Sequence, residues 1–347
     1  MRRLPIYFLV DISESMVGTP IEQVQEGMRT IIQNLRVDPY ALETVFVSII
    51  AFAGKAKVLS PLTELYKFYP PTFPIGGGTS LGKGLECLMG DMDRNIQKTT
   101  LEQKGDWKPI IFLFTDGNPT DDYAEAFRRW NEKYRKHCSL VAVSIGDNVN
   151  VLTLAQITND ILLLKDTDPQ SFSEFFKWVT ASIKTTSMSV SEQNTDGIKL
   201  APTTCINLEK VDPREHPGMV DDNFVVLHGR CQNTKQDYLI KYARRQRLFE
   251  GRPLYNDINF RLVGAYAVDK DTYTGLSDGR PTRINSREIV GVPTCPCCGN
   301  QLGAVVCECG NIFCVGESNY NECPWCGMHG TLGHGDPNGM DISRSLG

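Results

Sequence analysis

Long apolar runs are missing from this chain: no stretch approaches the roughly 18–20 residues needed to cross a bilayer as a helix. A basic excess is missing too. Lys and Arg number 36 against 41 Asp and Glu, and neither half is a basic body, which argues against a nucleic-acid or membrane binder driven by bulk charge. Histidine is scarce, at five in 347 residues. None lies in sequence near the oxygen-rich motifs described below, so a nucleophilic mechanism there lacks its base and the expectation is a non-enzyme. Nor does the start read as a leader peptide. Met1-Arg2-Arg3 precedes only the short run 4–10, which contains Pro5 and is stopped by Asp11 without a small-residue cleavage site. It reads as a first strand, and a cytoplasmic protein without a membrane association is expected.

What the chain does have is oxygen at strand ends. In Tyr7-Phe8-Leu9-Val10-Asp11-Ile12-Ser13-Glu14-Ser15-Met16-Val17-Gly18, an apolar strand runs into one carboxylate and two hydroxyls at alternating positions, Asp11, Ser13 and Ser15. In extended backbone these share a face. A hard cation such as Mg2+ takes six oxygens and keeps some of its water, so other segments must contribute. Gly76-Gly77-Gly78-Thr79-Ser80-Leu81-Gly82 offers the Thr79 hydroxyl from a glycine-rich loop, and Ile110-Ile111-Phe112-Leu113-Phe114-Thr115-Asp116-Gly117 ends a second buried strand in Asp116. Each lies at a strand-to-helix junction, and in an open parallel sheet such junctions gather at the carboxyl edge of the strands.

At 347 residues the chain exceeds one ordinary domain, and its period changes along its length. Over residues 1–187 strand-like runs (4–10, 44–52, 109–114, 139–145, 161–164) alternate with helix-like runs (from Pro20, 80–97, 121–137, 171–183), and 56–62 reads as an antiparallel edge strand. The helix after Pro20 carries Ile21, Val24, Met28, Ile31, Ile32 and Leu35 at helical spacing. The later helices carry Ala124, Phe127, Trp130 and Tyr134, then Phe172, Phe175, Phe176, Val179 and Ile183. This alternation calls for an α/β fold, a doubly wound, mostly parallel sheet with helices on both faces. Residues 188–202 are Ser, Thr, Asn and Asp rich and read as a linker. The segment 203–292 is β-rich, with strands expected at 224–228, 237–242 and 259–268, and 293–347 forms a cysteine-rich module.

Asp-x-Ser-x-Ser, then a Gly-Gly-Thr loop, then a strand ending Thr-Asp-Gly resembles the von Willebrand factor A (vWA) domain and its metal-ion-dependent adhesion site. The resemblance implies a Rossmann-like fold and a bound Mg2+ or Mn2+. By that resemblance Ser13, Ser15 and Thr79 would bind the ion directly or nearly so, and Asp11 and Asp116 partly through water. An ion so sparingly matched with carboxylates stays electrophilic and seeks an anionic oxygen, a carboxylate or phosphate, from a partner.

Eight of the twelve cysteines fall between Cys295 and Cys326. They occur in Cys295-Pro296-Cys297-Cys298-Gly299, Cys307-Glu308-Cys309-Gly310, Cys314, and Cys323-Pro324-Trp325-Cys326-Gly327. Cys-Pro-x-Cys-Gly turns aim two thiolates at one ion, and the matched spacing favours Cys295, Cys298, Cys323 and Cys326 as a zinc quartet. Cys307, Cys309, Cys314 and His329 make a second set, so one or two Zn2+ ions are expected in a zinc-ribbon-like domain. The spacing also permits pairings that interleave between two ions. A segment of about 40 residues is too small to fold on apolar burial alone. Cys87, Cys138, Cys205 and Cys231 read as buried small hydrophobes, and His216, His228 and His334 as loop or surface residues.

A vWA head, a β-rich middle and a cysteine-dense tail together resemble the TerY family of tellurium-resistance proteins. That resemblance implies a component of bacterial stress response that works with a Ser/Thr protein kinase and a metal-dependent protein phosphatase. The function expected from these features is that of a metal-dependent protein-interaction adaptor, and two other readings stand beside it. The basic run Lys241-Tyr242-Ala243-Arg244-Arg245-Gln246-Arg247 beside a zinc ribbon would suit a nucleic-acid binder, and Asp11 with a metal would suit a phosphohydrolase. The near-Walker string Gly77-Gly78-Thr79-Ser80-Leu81-Gly82-Lys83-Gly84 puts glycine where a phosphate loop needs Ser or Thr.

Overall fold

The computed structural model describes residues 2–116, 118–145, 151–164, 169–192, 208–210, 224–249, 252–276, 282–316, 320–331 and 339–344. It divides into two compact units: Met1–Ile12 with Thr19–Phe73 and Thr79–Asp221, and Ser13–Gly18 with Pro74–Gly78 and Asp222–Gly347. Among the described residues no helix is long and apolar enough to cross a membrane.

The first unit runs β1 (Leu4–Asp11), α1 (Thr19–Arg36), α2 (Pro39–Thr44), β2 (Val45–Phe52), β3 (Ala56–Glu64), α3 (Leu81–Asn95), β4 (Ile110–Thr115), α4 (Ala124–Lys133), β5 (Ser139–Ile145), α5 (Val151–Ala155), β6 (Asp160–Leu164), α6 (Pro169–Glu192) and β7 (Leu208–Lys210). Its sheet has the order β3-β2-β1-β4-β5-β6-β7. β1, β2, β4, β5 and β6 are parallel, and β3 and β7 close the two edges antiparallel. The doubly wound α/β architecture expected from the alternation is what the chain forms.

Strand residues alternate between two covered faces, as the period-2 geometry demands. On one, Tyr7, Leu9, Ile111 and Leu113 pack with Leu85, Leu88, Phe127, Trp130 and Leu154 from α3, α4 and α5. On the other, Phe8 stacks on Phe112 and Phe114 at 5.7 and 6.3 Å, and Phe114 meets Phe175 of α6 edge-on at 5.9 Å. The whole predicted stripe of α1, from Ile21 to Leu35, is buried. In α4 the buried small residue is Ala126, while Ala124 is exposed. Three helices of this unit differ from expectation, and one of them, α5, is a five-residue turn that no expected run covers. α2 is a turn and a half that periodicity is too short to show; Asp38 caps it, its carboxylate accepting from the Ala41 amide at 3.0 Å, with Pro39 opening the helix. α6 continues to Glu192, beyond its expected end at 183 and into the expected linker, whose remainder, 193–202, lies outside the described residues.

The second unit is built on a meander of β8 (Phe224–Arg230), β9 (Asp237–Phe249) and β10 (Arg252–Ala267), followed by α7 (Lys270–Leu276), β11 (Thr282–Asn285), β12 (Ile289–Val290), β13 (Ala304–Val306), β14 (Ile312–Cys314), β15 (Tyr320–Glu322), β16 (His329–Thr331) and β17 (Asp341–Arg344). The main sheet has the order β12-β10-β9-β8-β14-β13. β14 joins β8 in parallel and β13 pairs back on β14. The expected division at 292/293 therefore crosses a continuous sheet: two strands of the cysteine-rich tail extend the β-rich middle. One face carries Val225, Leu227, Ile240, Tyr242, Phe260 and Ile312 together with Cys231, Cys295 and Cys314.

Gly27 on α1 marks a close approach of α1 to α6, because a Cβ there would sit 1.9 Å from the Phe176 ring. In a helix interior alanine normally gains about 1 kcal/mol over glycine, but overpacking a filled core costs about 1–3 kcal/mol. Gly27→Ala is therefore expected to lower the urea midpoint of unfolding with an unchanged slope.

Candidate metal centres

The parallel register of the first sheet decides where its functional oxygens lie. β1 sits between β2 and β4 with Asp11 opposite Phe52 and Val10 opposite Phe114, so Asp11 and the Thr115-Asp116 pair finish at one level. The Thr115 hydroxyl donates to the Asp11 carboxylate at 2.7 Å. Thr79 is fixed by its backbone: its amide donates to the Thr120 hydroxyl at 2.9 Å, and its carbonyl accepts from the Thr120 amide at 2.8 Å. Next to it, the Ser80 amide donates to the Ala53 carbonyl beyond the end of β2 at 2.7 Å. Asp121 caps α3, accepting from the Lys83 amide at 3.1 Å. The phosphate-loop likeness has a packing explanation, since a Cβ on Gly84 would meet the Phe52 ring at 3.0 Å.

Ser13 and Ser15 follow Asp11 in the chain, Ser13 just before and Ser15 within a 3-10 turn, Glu14–Met16, that belongs to the second unit. Their hydroxyl oxygens are 2.9 Å apart. Adjacent ligands on an octahedral Mg2+ with bonds of 2.0–2.1 Å stand about 2.9 Å apart, so this pair fits two neighbouring corners of such a shell. Asp11, Ser13, Ser15, Thr79 and Asp116 are all buried. Buried carboxylates are costly unless paired, hydrogen-bonded or on a metal, and this all-oxygen donor set has the hardness that Mg2+ or Mn2+ prefers.

The sulfur donors form two quartets, each with all four sulfurs within 4.8 Å of one another: Cys231, Cys295, Cys298 and Cys314, and Cys307, Cys309, Cys323 and Cys326. In the first, Cys298–Cys314 and Cys231–Cys314 are separated by 3.9 and 3.7 Å. In the second, Cys307–Cys326 and Cys309–Cys323 are separated by 3.7 and 3.9 Å. A tetrahedral Zn2+ with Zn–S bonds near 2.3 Å has sulfur edges of about 3.8 Å, whereas a disulfide needs about 2.05 Å. Both sets therefore have the dimensions of a zinc–thiolate cage.

This corrects the quartets expected from spacing. Cys295 and Cys298 do not share a cage with Cys323 and Cys326; the sites interleave, and β14, lying beside β8, carries Cys314 to Cys231. His329 is not a ligand. It is exposed on β16 and stacks on Tyr320 at 5.7 Å. Cys231 is a cage member rather than an inert hydrophobe, whereas Cys138 is inert: buried, bonded to the Tyr134 carbonyl at 2.9 Å and with its thiol pushed up to about 12 by burial. Cys205, His216 and His334 lie outside the described residues. Cys297 is half-buried outside both quartets, and burial pushes its thiol up to about 12.

Comparison with known proteins follows the same division. Residues 6–178 match the von Willebrand factor type A domain, and residues 221–347 match the TerY-C metal binding domain. The chain has the TerY-like architecture. The vWA half is 25% identical over 162 residues to inter-alpha-trypsin inhibitor heavy chain H1 of Bos taurus, covering 45% of this chain and 18% of that protein. With heavy chain H2 of Sus scrofa it shares 26% over 165 residues, 45% and 17% of the two chains. The chain thus spans less than a fifth of these relatives. Among solved structures, proximal thread matrix protein 1 from the mussel byssus aligns with a TM-score of 0.38 and 18% identity over 52% of this chain and 48% of that one.

Cys231 in the TerY-C domain escaped the sequence because it lies in a turn without the usual letters. In Cys295–Asn300 and Cys323–Met328 the first cysteine amide donates to the carbonyl five residues on, and the glycine amide returns to the first carbonyl; Gly299 and Gly327 have φ of 73° and 72°. Cys231-Gln232-Asn233-Thr234-Lys235-Gln236 makes the same two bonds, at 2.8 and 3.0 Å, with Thr234 where the second cysteine would stand and Lys235 at φ 58° in the glycine place. The Thr234 amide donates to the Cys231 sulfur at 3.4 Å. Burial raises that thiol, but the hydrogen bonds from Thr234 and Asn233 outweigh it and bring it to about 6. The cue available in sequence was a cysteine at the head of a hairpin loop.

A structural pin ties the second cage to the sheet. Trp325, inside the Cys323–Cys326 turn, donates to the Ile312 carbonyl at 2.8 Å and is covered by Arg230 at 3.8 Å and His228 at 5.1 Å. Asp237 accepts from Arg230 at 2.6 Å and bonds His228 at 3.1 Å. Burial raises its carboxyl, but these two partners hold it at about 2. His228 is thus a partly buried strand residue rather than a loop residue. Of the basic run, Lys241 is buried and unavailable to a phosphate backbone, and the side chains of Arg245 and Arg247 lie outside the described residues. Elemental analysis is expected to find two zinc ions per chain, falling to one in Cys231→Ser and staying at two in Cys297→Ser.

Proposed function

We propose that this chain is a non-enzymatic, metal-dependent interaction protein whose vWA domain holds one Mg2+ or Mn2+ and whose TerY-C domain is stabilised by two Zn2+. The observation that carries the reading is the hydroxyl pair of Ser13 and Ser15 at octahedral spacing, directly following the Asp11 carboxylate. Ser13, Ser15 and Thr79 would ligate the ion, with Asp11 and Asp116 acting partly through water. When bound, the ion supplies an electrophilic position for an anionic oxygen of a partner, an Asp or Glu carboxylate or a phosphorylated Ser or Thr. The residues around it orient the shell: Thr115 holds the Asp11 carboxylate, and Thr120 fixes the backbone of Thr79. A weakly neutralised cation meeting one anion in a dry interface gives specificity from a small contact area.

The partner classes favoured by the TerY-like architecture are a Ser/Thr protein kinase and a metal-dependent protein phosphatase, acting in a bacterial cytoplasm under tellurite or related stress. Phosphorylation of Ser13, Ser15 or Thr79 would place about two negative charges in the cation site and block docking, giving such an enzyme pair a switch.

Titration with Mn2+ is expected to show binding that Asp11→Ala abolishes while zinc content stays constant. Purified kinase or phosphatase is then expected to be retained on the immobilised chain in Mg2+ and released in Mg2+-free buffer. Equal retention by Asp116→Ala and the wild type would overturn the reading.

A further inference from the structure

We infer that Lys241 and Tyr273 are positioning residues for the divalent-cation loop, fixing the turn between Ser13 and Ser15 in its ligating shape; this rests on the reading that these serines serve a hard cation. The turn has little to hold it by itself. Within it the Met16 amide donates to the Ser13 carbonyl at 3.0 Å and the Val17 amide to the Glu14 carbonyl at 3.2 Å. A 3-10 stretch this short has poor intrinsic stability, so its shape must come from what surrounds it.

The surroundings belong to the same second unit. Lys241, midway along β9, is buried; its ammonium donates to the Ser15 carbonyl and lies 4.4 Å from the centre of the Phe224 ring. Tyr273 on α7 donates its hydroxyl to the Glu14 carboxylate, which is fully buried. Val17 packs with Val226, Leu239, Val268 and Tyr273. Gly18, at φ 85°, faces the Tyr266 ring, which a Cβ would approach to 2.7 Å. Glu14, Ser15, Val17 and Gly18 are thus each engaged from the β8-β9-β10 sheet or the helix that follows it.

Burying an ammonium and a carboxylate is expensive, and neither improves the apolar packing around it. Their placement on the two residues between and at the serines has a use if hydroxyl spacing must be set before the ion arrives. A site whose ligands are already ordered does not lose that ordering entropy on binding. Neither residue would touch the ion; both act through the backbone or side chain of the turn.

The test uses the full-length, zinc-loaded chain and Mn2+ alone as probe, followed by calorimetry and by the electron paramagnetic resonance signal of the bound ion. Tyr273→Phe removes one oxygen and Lys241→Met one charge. Each is expected to weaken Mn2+ binding about tenfold, the size of one hydrogen bond to a charged group, with zinc content unchanged; Lys241→Arg is expected to recover most of the loss. Binding within about twofold of wild type in both variants, with zinc retained, would overturn the inference. If Lys241→Met loses zinc, Tyr273→Phe alone decides. Failure of the wild type to bind Mn2+, or equal binding by Asp11→Ala, strikes the cation reading itself instead.

Discussion

Strands of a parallel sheet that stop at the same level must present their last side chains together, and the chemistry of the vWA half depends on that constraint. β1 is central, so whatever follows it emerges between the ends of β2 and β4. The Asp11 carboxylate meets the Thr115 hydroxyl because the register leaves it nowhere else to go. Aromatic packing beneath, Phe8 on Phe112 and Phe114, keeps that register, since a slip of one residue would turn each ring to the opposite face. Core and site are thus set by the same alignment.

The chain separates its donors by hardness. The Asp11–Thr115 and Ser13–Ser15 pairs offer oxygen and the two TerY-C quartets offer sulfur, so neither set competes for the other's ion. The sulfur cages also replace core. Cys231, Cys295 and Cys314 sit among Val225, Leu227, Tyr238 and Ile312 as part of one apolar cluster, and the four strands β13 to β16 around the cages are only three residues long. Such strands cannot persist on their own.

Much of this was legible in the residues. Six apolar positions from Ile21 to Leu35 gave α1 its buried face, the β-branched run after Thr44 gave β2, and the antiparallel return at 56–62 became β3. The five oxygen-bearing site residues were named by motif, and the structure sets Asp11 beside Thr115 and Ser13 beside Ser15. Three things were hidden. α2, α5 and β7 are too short to show a period. The pairing of the cysteines is a matter of which strand lies beside which, and β14 against β8 joins residues some eighty positions apart. Cys231 stands in a turn whose glycine and second cysteine have been replaced by Lys235 and Thr234, so no pattern of letters marks it.

The two cages differ in the span of chain that each must close. Cys307 and Cys326 are 19 positions apart, Cys231 and Cys314 83. Closing the longer loop carries roughly two further doublings of length, or about 1.2 kcal/mol of additional entropy. The nearer cage can assemble as a local event, as small zinc modules do, while the farther one waits for β8 and β14 to find each other. Metal loading would then be ordered in time, and scarcity of zinc would be felt first as an open junction between the middle of the chain and its tail.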